Sequence, residues 1–302
     1  MRREWKKYRV FLVCAVILSA CAYHAPDEDW EKNGKVRLLL RKPDSSCPDN
    51  MIWYFYPENS GNPIIRTGDI SGYEGTLPSG RYRVAVCNTG CTGVTLEMGN
   101  GYKEACGRAQ QISSLKSASL HIARPGNLYG AGKDLIEVGG GKTVAEELSS
   151  VSLVKTLEIN IKVTGEDKDN VVPAVLSGRL TGVSSRVHIP SGKPLFDTPA
   201  FMTFDPVETG TGVYTSSLSL FGLSSGEDGG EPVNLSLTMM LANGKEITSS
   251  TDITEEVKDV FTATITTHVI LDLVVRYDEM GGLMITLTDW KPGSDGSGVV
   301  DP

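Results

Sequence analysis

The segment Gly222-Leu-Ser-Ser-Gly226 has the spacing of a nucleophile elbow, in which a strained strand-to-helix turn would expose Ser224 to attack a carbonyl. Glu227-Asp-Gly-Gly-Glu-Pro232 follows at once and leaves no helix, so the pattern predicts a hairpin loop instead. Gly139-Gly-Gly-Lys142-Thr143 has the end of a phosphate-binding loop, but Ile136 stands where its first glycine belongs. The acidic run Glu166-Asp-Lys-Asp-Asn170 lacks the glycine and terminal glutamate of a calcium loop and predicts a solvated turn. His24, His121, His188 and His268 each stand alone. No base is paired with a nucleophile and no set of metal ligands shares a helical face, so the expectation is a protein that is not an enzyme and takes no cofactor or metal. A hydrolase using Ser224 is the reading this sets aside.

One thiol has a more specific context. Arg2, Arg3, Lys6, Lys7 and Arg9 precede an uncharged run, Val10 to Ala20, that ends Leu18-Ser-Ala-Cys21. A basic start followed by a short apolar stretch reads as a signal peptide. The stretch is about half the roughly 20 apolar residues a bilayer-spanning helix needs. Its last four residues resemble the lipobox of secreted bacterial lipoproteins, in which small residues admit the peptidase and the cysteine thiol takes the lipid thioether. Cys21 is therefore the expected lipidation site and first mature residue, and residues 1–20 the discarded signal. Removing those 20 residues leaves 24 basic against 36 acidic side chains, a net charge of −12. So acidic a body argues against nucleic acid as partner and leaves the membrane, through the lipid anchor, as one contact.

Residues 21–34 then read as a tether. Its cluster Asp27-Glu-Asp-Trp-Glu31 lies close behind Cys21 and resembles the signal that sends Bacteroides-type lipoproteins to the outer face of the outer membrane. Cys47, Cys87, Cys91 and Cys106 remain in the mature chain, all before residue 110. In an oxidising compartment they are candidates for two disulfides, with three pairings open; only Cys87 and Cys91 have the close spacing of a zinc pair.

The composition, with 33 glycines and 15 prolines and 22% charged residues, reads as β-rich. Leu157-Glu-Ile-Asn-Ile-Lys-Val163 alternates apolar and polar residues as a half-buried strand must. The same grammar marks 36–40, 52–56, 81–87, 118–122, 174–180, 214–220, 233–241, 262–275 and 283–290, separated by turns such as Asn243-Gly244. Short strands with glycine-rich turns predict antiparallel sandwiches. Two brief helices are expected, over 144–151 and 253–260, the second capped by Thr251 or Asp252. The glycine-rich stretch 139–150 is taken as the break between an N-terminal domain, 35–150, and a C-terminal domain, 151–291. Residues 292–302 read as a disordered tail.

The strand phrase Val36-Arg-Leu-Leu-Leu40, the aromatic phrase Ile52-Trp-Tyr-Phe-Tyr-Pro-Glu58 and, above all, Leu77-Pro-Ser-Gly-Arg-Tyr-Arg-Val-Ala-Val-Cys-Asn88 resemble the fimbrillin-associated anchor lipoproteins of Bacteroides-type bacteria. Leu180-Thr-Gly-Val-Ser-Ser-Arg-Val-His188 and Gly281-Gly-Leu-Met-Ile-Thr-Leu-Thr-Asp-Trp290 are similar to that family's second domain. The resemblance implies two tandem transthyretin-like sandwiches, a place at the cell surface, and other pilus subunits as partners, bound by strand complementation. In the family's shaft subunits a protease that cuts after Arg or Lys removes the first strand. Lys35, Arg37 and Arg41 are the candidate processing residues here, although basic residues on a strand also guard against aggregation. The alternative is a surface glycan-binding lipoprotein, for which Trp53, Tyr54, Tyr56 and Tyr73 are the candidate stacking platform; core positions are the commoner fate of such residues.

Overall fold

The structure is a computed structural model that describes residues 32–43, 47–60, 62–112, 119–165, 173–262, 267–278 and 282–293. Cys21, His24, the acidic cluster 27–31, the run 166–170 and residues 294–302 lie outside the described residues. In chain order the strands are β1 (Asn33–Arg41), β2 (Met51–Pro57), β3 (Ile64–Gly68), β4 (Gly72–Pro78), β5 (Gly80–Asn88), β6 (Val94–Glu97), β7 (Cys106–Ala109), β8 (Leu120–His121), β9 (Tyr129–Val138), β10 (Thr143–Ser149) and β11 (Val151–Ser152). They continue as β12 (Lys155–Gly165), β13 (Val175–Thr181), β14 (Arg186–His188), β15 (Pro194–Leu195), β16 (Ala200–Phe204), β17 (Val207–Gly210), β18 (Val213–Leu220), β19 (Asn234–Met240), β20 (Glu246–Asp252), β21 (His268–Asp278) and β22 (Gly282–Pro292). One helix, α1 (Thr254–Thr262), separates β20 from β21.

Two sandwiches share one strand order. In the first, β1 runs between β10, parallel to it, and β4, antiparallel to it; the facing sheet is β11-β9-β5-β2-β3. In the second, β12 runs between β21, parallel, and β18, antiparallel; the facing sheet is β20-β19-β13-β16-β8. The fold is thus two tandem transthyretin-like β-sandwiches, nearly all β and mainly antiparallel. The parallel pairs β1–β10, β12–β21 and β8–β16 depart from the wholly antiparallel pattern expected from the turns.

Alternation creates the cores. Val36, Leu38 and Leu40 of β1 are buried while Lys35, Arg37, Leu39 and Arg41 face outward. They pack on Trp53, Phe55, Tyr82, Val84 and Val86, and the Trp53, Phe55 and Tyr73 rings lie 5.1 to 6.5 Å apart. Each such side chain stabilises the fold by about 1.5–3 kcal/mol. Tyr82 donates its hydroxyl to the Pro78 carbonyl at 2.8 Å, which fastens the start of β5 to its own turn. The opposite face of β2 and β5, with Tyr54, Tyr56, Ala85 and Cys87, belongs to a second core that continues into the C-terminal sandwich. Inside that sandwich Gly178 pairs with Phe204; a Cβ on Gly178 would fall 2.1 Å from the ring, so only glycine lets the phenyl lie across the strand.

A four-stranded sheet, β15-β14-β7-β6, joins strands from both halves of the chain. Arg186 pairs with Arg108 and His188 with Cys106 in its register.

Two expectations are corrected. Residues 143–149 form strand β10, not a helix: Val144 and Leu148 turn inward beside β1, and tertiary pairing overrides the helix propensity of Ala-Glu-Glu-Leu. Within 139–150, residues 139–142 turn between β9 and β10. The stretch 262–275 begins at the end of α1, and its strand starts only at His268. The helix expected over 253–260 is present as α1, whose first turn is tied by Asp252 Oδ1 accepting from the Thr254 N–H at 2.9 Å and hydroxyl at 2.6 Å.

Candidate interaction edges of the N-terminal sandwich

The three candidate processing residues share the outer face of β1, the middle strand of its sheet. Arg37 approaches Glu74 at 3.9 Å, Arg41 pairs with Glu147, and Lys35 lies opposite Thr76 and Thr143. Lys35 and Arg37 are paired with a strand on both sides, whereas Arg41 is paired with β10 alone.

The edges around β1 differ from their counterparts in the second sandwich. There β22 covers β21, β17 covers β18 and β8 covers β16. In the first sandwich the corresponding strands β10, β4 and β3 have no further strand beside them among the described residues. An uncovered edge presents unpaired N–H and C=O groups to any extended chain.

Two of the three open edges carry a charge on their core-facing side. Glu146 of β10 lies opposite Leu38 and accepts from Lys133 Nζ at 2.9 Å. Arg66 of β3 lies opposite Trp53 and turns outward, donating to the Ile65 carbonyl at 2.9 Å. Core-facing charges of this kind oppose strand addition, because a new neighbour would strip water from them. β4 has none: Tyr73, Gly75 and Leu77 face the core, while Glu74 and Thr76 face outward.

The sequence does not reveal a network on the bridging sheet. Arg108 donates to Glu97 from Nε at 2.6 Å and from Nη2 at 3.2 Å. Arg186, whose side chain is 14% exposed, donates to Cys106 Sγ from Nε at 3.3 Å and Nη2 at 3.0 Å, and to Asp197 from Nη1 at 2.5 Å. The Arg108 hydrogen bond, helped by Cys106 and Arg186 and outweighing burial, holds the Glu97 carboxyl below its ordinary range. Seventy-eight residues separate Arg108 from Arg186, so no local spacing signals the contact.

The other candidates are dispersed. Ser224 is buried and donates to Asp228 Oδ1 at 2.9 Å, closing its own loop. His121 stacks on Phe201, His188 bonds Ser191 and the Tyr102 carbonyl, and His268 faces Glu158 at 3.5 Å; none of the three meets Ser224. Trp53, Tyr54, Tyr56 and Tyr73 are all buried, so they form no exposed platform. Cys47 and Cys106 are buried. Cys87 is buried too, its thiol pushed up to about 12 by desolvation and then by neighbouring Cys91, which accepts from Asn88 Nδ2 at 3.2 Å. Among the described residues no group of three His, Cys, Asp or Glu side chains could hold a metal, and no helix is long and apolar enough to cross a membrane.

This strand order defines the class, a pair of sandwiches with one topology and unequal edges. Solved structures of similar fold include a candidate adhesin from Bacteroides ovatus, 17% identical over 80% of this chain and 90% of that one, with a TM-score of 0.58. The fimbrial anchor protein Mfa2 from Porphyromonas gingivalis is 12% identical over 84% of this chain and 98% of its own, with a TM-score of 0.57. A candidate polysaccharide-binding protein from Bacteroides thetaiotaomicron is 11% identical over 84% and 95%, with a TM-score of 0.56. The chain matches no protein-family model and no curated protein sequence.

Proposed function

We propose that the chain is a cell-surface fimbrial anchor or accessory subunit, a non-enzymatic lipoprotein tethered to the outer membrane through Cys21, that holds another pilus subunit by β-strand complementation. Residues 21–34 serve as the tether, its last two already in β1, with 35–150 and 151–291 as the two sandwich units, β11 pairing back onto the first and β8 reaching across to the second. The observation that carries this reading is the unequal edges: one topology occurs twice, and among the described residues β10, β4 and β3 of the copy next to the tether lack the outer strand that their counterparts have. The fold similarity to a fimbrial anchor supports it. A cut after Lys35, Arg37 or Arg41 would leave a slot between β10 and β4 but would also part the sandwiches from the Cys21 tether, so it belongs to the accessory-subunit form of this reading and not to the anchor. In an oxidising space, disulfides among Cys47, Cys87, Cys91 and Cys106 belong to the same reading.

Glycan capture is the second reading. Two open clefts, of about 520 and 470 Å³, meet at Tyr102, whose hydroxyl donates to Asp134 at 3.0 Å; Arg83 and Asn100 line one, and Lys133 and His188 the other. Aromatic surface beside polar groups suits a sugar.

The test is made in the producing cell. Radiolabelled palmitate should enter the protein, Cys21→Ser should release it from the membrane, and its pull-down should retain fimbrial subunits. A protein that stays membrane-bound without Cys21 and retains no fimbrial subunit contradicts the proposal.

A further inference from the structure

The geometry points to β4 as the edge of the N-terminal sandwich that accepts a partner's strand, added antiparallel beside β4 while β1 stays in place. This inference rests on the pilus-subunit reading and names the surface it uses.

The second sandwich supplies the template. There the counterpart of β4 is β18, and β17 lies antiparallel beside it, Val207 opposite Thr215 and Glu208 opposite Tyr214. The chain therefore adds a strand at this edge once, in the copy where the preceding segment folds back on it. In the first sandwich Gly72–Pro78 has no such strand beside it among the described residues, although Gly72 already gives its N–H to the Asp69 carbonyl and Pro78 has none to give.

The other two open edges oppose the same event. A strand added beside β10 would bury the Glu146–Lys133 pair, and one beside β3 would desolvate Arg66. On β4 the core-facing positions are Tyr73, Gly75 and Leu77, with Tyr73 and Leu77 already buried. A new strand there hides no charge and gains ladder hydrogen bonds. Beyond Gly75 the Tyr73 hydroxyl already fills the inward space, since a Cβ would lie 2.3 Å from it, so the site receives backbone rather than a large side chain at that point.

Charge fixes the partner's chemistry. The Glu74 side chain is 80% exposed and its approach to Arg37 is loose at 3.9 Å, leaving its carboxylate available on the outer face. The matching segment is an extended strand with a lysine or arginine opposite Glu74 and small or apolar residues on the alternate positions.

The test is photo-crosslinking on the surface of the producing cell, with the full-length chain carrying p-benzoyl-phenylalanine in place of Thr76 on β4, Thr67 on β3 or Ala145 on β10. All three positions are exposed, so the fold is undisturbed. The expected result is a fimbrial subunit crosslinked from position 76 alone, on chains whose mass shows β1 intact. Glu74→Lys should then lower the yield roughly three- to five-fold, the scale of a cross-strand charge pair. Crosslinks from position 67 or 145 instead, or only on chains that have lost β1, overturn the inference and leave the pilus-subunit reading standing. No fimbrial subunit at any position, together with none in the pull-down, overturns both.

Discussion

The two sandwiches have the same strand order and differ in how their borders are treated. In the C-terminal one, the strand parallel to β12 is flanked by β22, whose Leu283 and Ile285 cover Tyr277 and Val275, and β22 packs near β20 at the corner. The inward positions of β21 are correspondingly all apolar: Val269, Leu271, Leu273 and Val275. In the N-terminal one the equivalent strand ends the sheet among the described residues, and one of its inward positions is Glu146. An uncovered strand carries a charge where a covered one carries leucine, because solvent is available only at the first. The residue on the core-facing side of β10, β3 or β4 therefore records whether a neighbour is expected there, and by that criterion β4 is the receptive one of these three N-terminal edges.

The largest expected effect comes from uncovering the second sandwich. A chain ending at Asp278 loses β22, and Leu283 and Ile285 contribute about 1.5–3 kcal/mol each, so urea unfolding should show a loss of roughly 3–6 kcal/mol and chromatography should show self-association through β21. Unchanged stability would mean that β22 is not what distinguishes the two copies.

Next comes the bridge that holds the copies together. Arg186→Ala leaves Cys106 and Asp197 without their guanidinium, and thermal or urea unfolding should reveal a loss of about 2 kcal/mol. Glu146→Val sharpens the comparison at β10: monomer stability should change by under about 1 kcal/mol, since the lost partner is a half-exposed lysine. Sedimentation should nevertheless show dimers at micromolar concentration as the edges pair. A variant that stays monomeric would show that Glu146 does not guard the edge.

The smallest effect is acid sensitivity of the bridge. The folded Glu97 carboxyl titrates below the ordinary glutamate value of 4.5, so its contribution is present above that value and is lost as pH falls through the lowered one. The melting temperature should drop as pH falls below the ordinary glutamate range, and Glu97→Gln should flatten that part of the profile.

Much of the strand content was legible. Leu157 to Val163 alternates because β12 has one face in the core, and the Leu77-Pro-Ser-Gly-Arg-Tyr82 turn places Tyr82, Val84 and Val86 inward as read. β10 was not legible, because Glu146 breaks the alternation that marks a strand. β6 and β7 are four residues each and include Gly107, too short and too irregular to carry a period. Neither the uncovered edges nor the Glu97–Arg186 bridge has a local signature, since both arise from pairings between segments far apart in the chain. The basic residues of β1 were found from sequence, whereas their place in a middle strand required the register.

Hydrogen–deuterium exchange of the full chain, with and without fimbriae sheared from the producing bacterium, tests the difference between the sandwiches most directly. The account predicts that fimbriae slow exchange in 72–78 and leave β17 and β22 unchanged. Slowing at β17 or β22 with none at 72–78 would contradict it.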